Sequence, residues 1–458
     1  MTQALAQPQQ SAQRRREQRA WYFYDWANSA YVTTVATVLL APYLTAVATN
    51  AACPDLPEGA RCATNLSVLG LPVSPGSLVF YAATFSTILS ALLLPLVGAV
   101  ADRSPRQKSM LAGFGWLGAL AASALWFVQG DNWQLGVALL IAANLCLAAS
   151  LVVYDALLCQ IATPDERDRV SSRGWALGYL GGFILLAINL ALVTAHEALG
   201  LSQSEAVRLC LLSAGVWWAA FTLVPYLGLR NRPPVNLAPV HGSLVGEAFG
   251  QLASTMRHLR GYRNTMLFLL AYLFFNDGIQ TVIGVSSIYG ADQLGFSTSQ
   301  LIVTILLVQV VAFAGALLFG RLAARYGARA VVLYSLLLWT LVVAIGFFLP
   351  AGRFGLWLAL AVLIGIVLGG SQALSRSLYS QLVPRGREAE YFSLYQACER
   401  GTSWFGTLLF GLVHQLTGSY RPAILALVVF FALGAVILRR VDVRQGILDA
   451  GNDLPAVV

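Results

Sequence analysis

The sequence predicts an all-α, polytopic membrane protein: twelve transmembrane helices in two pseudo-symmetric six-helix bundles. Three observations carry this prediction: the scarcity of charge, the spacing of the few charges present, and a landmark that recurs half a chain later. Of 458 residues, 57% are hydrophobic and only 11% charged. A soluble chain carries roughly a quarter charged residues to keep its surface wet. Most of this surface must therefore face something other than water, and lipid is the direct candidate.

The charges are spaced to leave apolar runs close to the ~20 residues a helix needs to cross the hydrocarbon core. In the first half these runs are Trp26 to Pro54, Ala63 to Ala101, Ser109 to Gly130, Asn132 to Tyr154, Gly174 to Ala195 and Leu209 to Leu229. In the second half they are Asn264 to Ala291 (broken only by Asp277), Gln293 to Gly320, Ala330 to Gly352, Phe354 to Ser375, Tyr391 to Tyr420 (broken by Glu399 and Arg400) and Pro422 to Leu438. None alternates as a barrel strand would, so the runs are helices. The recurring landmark is G-A-V-A-D-R-S-P-R-Q-K after the second run, matched by G-R-L-A-A-R-Y-G-A-R after the eighth, displaced by 222 residues from Gly98 to Gly320. A-T-P-D-E-R around Pro164 and L-V-P-R-G-R-E around Pro384 are displaced by 220. Two landmarks moved by nearly the same amount point to a duplicated six-helix unit, a common transporter plan with the site between the repeats.

The net charge of +8 invites a nucleic-acid reading, which its distribution argues against. With both termini inside, the inner segments hold Arg14, Arg15, Arg16, Arg19, Arg103, Arg106, Lys108, Arg167, Arg169, Arg173 and many more, while the outer loops hold only Arg61, Arg208, Arg353 and Arg421. This is the positive-inside bias, and it sets both termini in the cytoplasm; the plasma (inner) membrane is the expected location. The arginines before the first run resemble a signal peptide, but the run is too long and contains Asp25, so it reads as a retained first span. Cys53 and Cys62 share the first outer loop, where a disulfide forms if that loop faces an oxidising compartment; their spacing alone does not decide it.

The expected organisation is a disordered tail over 1–20, a first bundle over 21–229, a linker over 230–263, a second bundle over 264–439 and a tail over 440–458. Apolar residues recur at helical spacing within the linker (Leu244, Phe249, Leu252, Met256, Leu259), which fits either an amphipathic helix on the membrane face or a solvated connector.

The segment Gly98-x-x-x-Asp102-Arg103, continuing to Arg106 and Lys108, resembles the loop signature of the major facilitator superfamily. Tyr24-Asp25-Trp26-Ala27-Asn28-Ser29-Ala30-Tyr31 resembles the first-helix hallmark of the vacuolar amino-acid effluxer (autophagy-related) family and its bacterial relatives. Asn276-Asp277-Gly278-Ile279-Gln280-Thr281, Arg173-Gly174-Trp175-Ala176-Leu177-Gly178-Tyr179 and Gly370-Ser371-Gln372-Ala373-Leu374-Ser375-Arg376-Ser377 fit the same subgroup in the same order. The resemblance implies a major facilitator fold and a secondary transporter of small solutes, with amino acids as substrate, export as direction and protons as coupling ion.

Charges inside a bundle cost several kcal/mol and so mark partners or function. Asp277 falls near the middle of span seven; with Asn276 and Gln280 it is the first candidate for contact with substrate or proton, the alternative being an interhelical hydrogen-bond cluster. Tyr24, Asp25 and Asn28 face the same region from span one, Asp25 being equally suited to a salt bridge. Asp155, Arg376, Glu399 and Arg400 balance two acids against two bases, and the resemblance brings their spans together at the cytoplasmic side as a gate. Arg376 could also serve a static pair or hold a substrate carboxylate. In relatives Asp102 latches the halves by pairing with its own loop's arginines or with the start of span eleven; its counterpart in the second half is Ala324, which leaves one latch.

Rival functions lack their chemistry. The four histidines, at 196, 241, 258 and 414, have no metal-ligand spacing, which argues against an intramembrane enzyme, and no Gly-Lys-Ser/Thr phosphate loop supports ATP-driven pumping. The expected partners are a small-molecule substrate, protons and the lipid bilayer. No cofactor, metal or nucleic acid is expected, and the working unit is expected to be a monomer. The remaining alternative is a transporter-fold sensor or lipid translocator without ion coupling.

Overall fold

The computed structural model describes residues 2–54, 62–68, 70–235, 261–401 and 403–458. Among the described residues eleven helices are long and apolar enough to cross a membrane. In order they are Ser11–Ala52, Pro75–Arg103, Gln107–Phe127, Trp133–Ile161, Pro164–Thr194, Gln203–Gly228, Arg263–Gln293, Ser299–Tyr326, Ala328–Phe348, Phe354–Gln381 and Tyr420–Arg439. One further crossing, between the last two of these, is described as two helices, Glu388–Gly401 and Ser403–Thr417. Its first piece carries Glu388, Glu390, Glu399 and Arg400, which is why it is not apolar throughout. The expected twelve spans are thus present and are numbered one to twelve.

Helix starts follow the local sequence. Thr163, Ser202 and Ser297 each stand three residues before Glu166, Glu205 and Gln300, and all three form reciprocal capping boxes. At Ser202 the hydroxyl accepts from the Glu205 amide at 3.2 Å while the Ser202 amide donates to the Glu205 carboxylate at 2.9 Å. Span one departs from α geometry over Tyr31–Leu39, and span seven does so over Tyr289–Gln293; both stretches are π-helical. Such stretches widen a helix by one residue per turn and frequently mark functional sites.

The two halves share one hydrophobic core at the Arg-rich end. There Trp21, Tyr154, Leu158 and Val170 of the first half pack in a single cluster with Phe268, Tyr379, Leu382 and Tyr391 of the second. At the opposite end a separate cluster around Tyr31, Leu44, Leu125, Leu211 and Trp218 belongs to the first half alone. The molecule is therefore closed at the Arg-rich end and parted at the far end. On the far side Cys53 and Cys62 are joined by a disulfide, Cα atoms 6.0 Å apart. It precedes a hairpin of Leu66–Val68 with Leu71–Val73, whose turn places Gly70 at φ +83°.

One expectation about the tails is corrected, and the other tail gains detail. Residues 11–20, expected to be disordered, continue the first helix. Ala, Gln and Arg are good helix formers, and the partners lie far along the chain: Gln18 donates to the Ile161 carbonyl at 3.0 Å, and Glu17 pairs with Arg232 at 2.8 Å. Within 440–458 a short helix, Val443–Asp449, leads to Asn452, whose amide donates to the carbonyls of Gln381 and Val383 at 2.9 and 2.8 Å. The amphipathic linker helix expected around 244–259 lies outside the described residues.

Candidate functional site

Arg376 organises the site. It sits on span ten with 2% of its surface exposed. Its guanidinium donates from Nη2 to Asp25 of span one at 3.1 Å and from Nη1 to Asp155 of span four at 3.3 Å. Nε donates to the Ser171 hydroxyl at 3.0 Å, and Nη2 also to the Ser171 carbonyl at 3.1 Å. The rings of Trp21, Tyr154 and Trp175 surround it at 4.8, 5.3 and 5.4 Å. A second-half cation is thus compensated entirely by first-half groups, which is what a buried charge needs to repay its desolvation. Gly174 makes the room: a methyl there would lie 2.6 Å from the Asp25 carboxylate and 3.1 Å from the Arg376 guanidinium.

Above this cluster, toward the far end, lies a cavity of ≈ 320 Å³ between the halves. That is within the range of small-molecule sites. Its floor is charged: Asp25, Asp155, Arg376, Glu399 and Arg400, with Gln372 and Gln396. The wall from the second half is largely apolar, with Leu301, Ile305, Val308, Trp357 and Ile364, and polar groups such as Asn28, Thr33, Gln280, Ser286 and Thr304 are spread among them. A small solute with paired opposite charges at one end and an apolar remainder matches this lining.

The structure brings Asp25, Asn28, Gln280, Asp155, Arg376, Glu399 and Arg400 to this one cavity. The sequence divides them between an expected substrate face and an expected gate; the structure places both sets in the lining of one cavity. Tyr24, Asn276 and Asp277 are not on the cavity wall. Tyr24 is fully buried and its carbonyl accepts from the Asn28 amide at 2.6 Å. Asn276 ties three spans together: its amide donates to the Glu399 carbonyl at 3.1 Å, and its oxygen accepts from Gln372 at 3.0 Å. Asp277 is 1% exposed, one position further round the helix, in the seam where Gly406 of span eleven and Phe430 and Phe431 of span twelve press on span seven. Among the described residues neither of its carboxylate oxygens has a side-chain hydrogen-bond partner, the Gly406 backbone being the polar group beside it, and the Thr281 hydroxyl one turn on has none.

The loop residues divide likewise. Asp102 is 4% exposed and accepts from the backbone amides of Ala389 and Glu390 at 2.8 and 2.9 Å. These are the opening residues of span eleven, whose unpaired amides favour a carboxylate. The start of span eleven, one of the two partners foreseen for Asp102, is thus met. Gly98 permits the approach, since a methyl there would sit 2.5 Å from the Ala389 carbonyl oxygen. Lys108 instead lies over the Tyr226 ring at 5.2 Å, and the Arg106 amide donates to Ser104. Further bonds cross the halves at this end: Arg167 to the Ser380 carbonyl at 2.6 Å, Gln381 to the Pro164 carbonyl at 2.8 Å and Ser171 to the Ala373 carbonyl at 2.7 Å.

Sequence reasoning assigns no role to Tyr154, Ser171, Trp175, Gln372 or Gln396, and places Trp21 in a membrane-interface belt, whereas it is fully buried against Arg376. Trp175 and Gln372 lie inside stretches singled out by resemblance, so a signal existed for them. The others are uncharged residues in apolar or mixed runs, and only the pairing across 200 residues or more reveals them, as between Ser171 and Arg376.

The chain matches the family described as "Vacuole effluxer Atg22 like" over residues 13–451. It is 31% identical over 445 residues to the uncharacterized MFS-type transporter YxiO of Bacillus subtilis, covering 96% of this chain and 98% of that one. It is 25% identical over 547 residues to autophagy-related protein 22-1 of Penicillium rubens, covering 95% and 91%. Among solved structures, the human organic anion transporter MFSD10 aligns with TM-score 0.68 at 16% identity over 93% of this chain and 99% of that one. The proton:xylose symporter XylE aligns with TM-score 0.68 at 13% identity over 94% and 96%. These structures share the fold. With nearly its whole length matched, the chain belongs to the Atg22-like effluxer family and has the twelve-helix fold of the major facilitator superfamily.

Proposed function

We propose that this protein is a secondary transporter that exports small zwitterionic solutes, amino acids among them, by alternating access coupled to protons. The observation that carries the reading is the cavity floor, where Arg376 of one half is held by Asp25 and Asp155 of the other beside Glu399 and Arg400. A zwitterion offers an ammonium for a carboxylate and a carboxylate for a guanidinium, so it competes for the same charges that bind the halves together. Solute in the cavity thus competes with the closure beneath it, binding energy is linked to the change of state in both directions, and the imposed gradient sets which way net transport runs. The family's description as effluxers favours export.

The Arg-rich end is proposed to face the cytoplasm, supported by the positive-inside bias and by a disulfide at the opposite end, which suits an oxidising compartment. The plasma membrane is the proposed location. Asp277 is the proposed coupling group, away from the cavity, because among the described residues its charged form meets no cation and no side-chain donor, only the Gly406 backbone.

The test is flux in proteoliposomes containing the full chain, using a radiolabelled mixture of L-amino acids with and without an imposed proton gradient. The reading predicts gradient-driven flux that Asp277→Asn abolishes while exchange of internal for external label persists. Absence of both flux and exchange contradicts transport of this solute class and favours the sensor or lipid-translocator alternative.

A further inference from the structure

Gln396, on the inner piece of span eleven, sits where the cavity and the closure meet. It is 3% exposed. Its amide nitrogen donates to Asp155 Oδ2 at 2.9 Å and to Glu399 Oε2 at 3.2 Å. Its oxygen accepts from Arg400 Nε at 3.4 Å. The other oxygen of Asp155 is the one that accepts from Arg376. Asp155 is thus held by two second-half side chains, one of which is itself held by the charged pair on the cavity wall. A primary amide has two N–H donors and one carbonyl acceptor. At Gln396 both donors go to carboxylates and the acceptor to a guanidinium, so its orientation is set by all three neighbours at once.

We propose that Gln396 is the positioning residue that ties the charge state of the cavity wall to the closure at Asp155. The inference rests on the reading of the Arg376 cluster as the gate given above. While Glu399 and Arg400 hold the amide, its nitrogen is fixed on Asp155 and the closure has both of its second-half partners. A solute ammonium on Glu399, or a carboxylate on Arg400, takes those groups from the amide. Gln396 is then free to rotate, Asp155 keeps only Arg376, and the halves part at the Arg-rich end. A carboxylate or a simple apolar residue at 396 could not do this: the first would repel Asp155 and Glu399, and the second would leave both without this donor.

Native Cys159 supplies the reporter. Its thiol lies on span four, 3.7 Å from the Ser380 carbonyl of the other half, so parting of the halves exposes it. The experiment measures the rate at which a membrane-impermeant maleimide modifies Cys159 from the Arg-rich side of the full-length protein. Peptide mass spectrometry separates this signal from Cys146, Cys210 and Cys398. The proteins compared are wild type, Arg376→Ala, Gln396→Leu, Gln396→Met, Glu399→Leu and the double variant Glu399→Leu/Gln396→Leu, each checked for monodispersity. Gln396→Met keeps side-chain length without donors and serves where Gln396→Leu fails to fold.

Losing a hydrogen bond to a charged group predicts about a tenfold rise in labelling for either Gln396 variant. Glu399→Leu should raise labelling several-fold in the wild-type background and add nothing once Gln396 is gone, the signature of two residues acting through one contact. Wild-type labelling in both Gln396 variants, with Arg376→Ala raised, overturns the role of Gln396 and leaves the gate standing. Additive effects of Glu399→Leu and Gln396→Leu overturn the linkage. Unchanged labelling in Arg376→Ala overturns the gate and this proposal with it.

Discussion

Arg376 shows how much one side chain carries here and why its replacement is not conservative. Three bonding directions of a planar guanidinium are used, toward Asp25, Asp155 and Ser171, and three aromatic rings lie against it. Lysine offers a compact ammonium on a flexible stem and cannot reproduce that fork. Removing one partner of a buried ion pair costs roughly 3–5 kcal/mol. Arg376→Ala is therefore expected to shift the closed–open balance by more than a hundredfold, and Arg376→Lys to recover only part of it. Maleimide accessibility of Cys159 from the Arg-rich side measures both. Asp277→Asn is the contrasting case. It removes no side-chain hydrogen bond among the described residues and exchanges a carboxylate for an isosteric amide. Thermal stability in detergent is expected to stay within about 1 kcal/mol of wild type, while gradient-driven flux is lost. The charged members of the site were legible in the sequence because a charge in an apolar run stands out. Their division of labour was not, because the sequence does not give the rotation of each helix about its axis: Asp277 and Gln280 lie three positions and so about 60° apart, yet Gln280 reaches the cavity while Asp277 turns to the seam.

At the scale of elements, the contact between the loop after span two and the start of span eleven is one carboxylate on a helix N-terminus. Losing an N-cap carboxylate costs about 1 kcal/mol. Asp102→Ala is thus expected to raise Cys159 labelling roughly fivefold, far less than Arg376→Ala. Gly98→Val should do at least as much, because its side chain would meet the Ala389 backbone. Equal effects of Asp102→Ala and Arg376→Ala would contradict this ranking. The far-side loop gives a separate expectation: reduction of Cys53–Cys62 should lower stability by about 2–3 kcal/mol, read as a fall in the denaturation midpoint. Helix count and order were legible from charge spacing. The helical extension over 11–20 was not, since a polar Gln- and Arg-rich stretch folds here through Gln18 and Glu17 meeting residues 143 and 215 positions away. The π-helical stretches of spans one and seven also have no sequence mark; Y-V-T-T-V-A-T-V-L reads as any apolar helix.

For the whole molecule, the displaced landmarks at Gly98 and Gly320 correctly foretold two related halves, and the loss of the acid at Ala324 foretold that they differ. The structure adds what stands at that second position. Ala324 lines a small cleft with Pro455, Ala456 and Val458, and the Ala456 amide donates to Asp165 of the first half at 2.6 Å. The Arg-rich end is thus joined by the Asp102 contact, the Arg376 cluster and the C-terminal segment. The far end has separate packing in each half, and the cavity lies between.

The central claim is that these joints form a gate whose release opens one end as the other closes. Spin labels at Leu227 and Tyr326 report the Arg-rich end, and labels at Leu199 and Leu416 the far end; all four side chains are exposed. The direct measurement is the pair of inter-label distances by double electron–electron resonance, with the remaining thiols outside the disulfide replaced by serine. The account predicts that Arg376→Ala lengthens Leu227–Tyr326 and shortens Leu199–Leu416 in the same sample. Distances that stay unchanged, or that lengthen together at both ends, would contradict it.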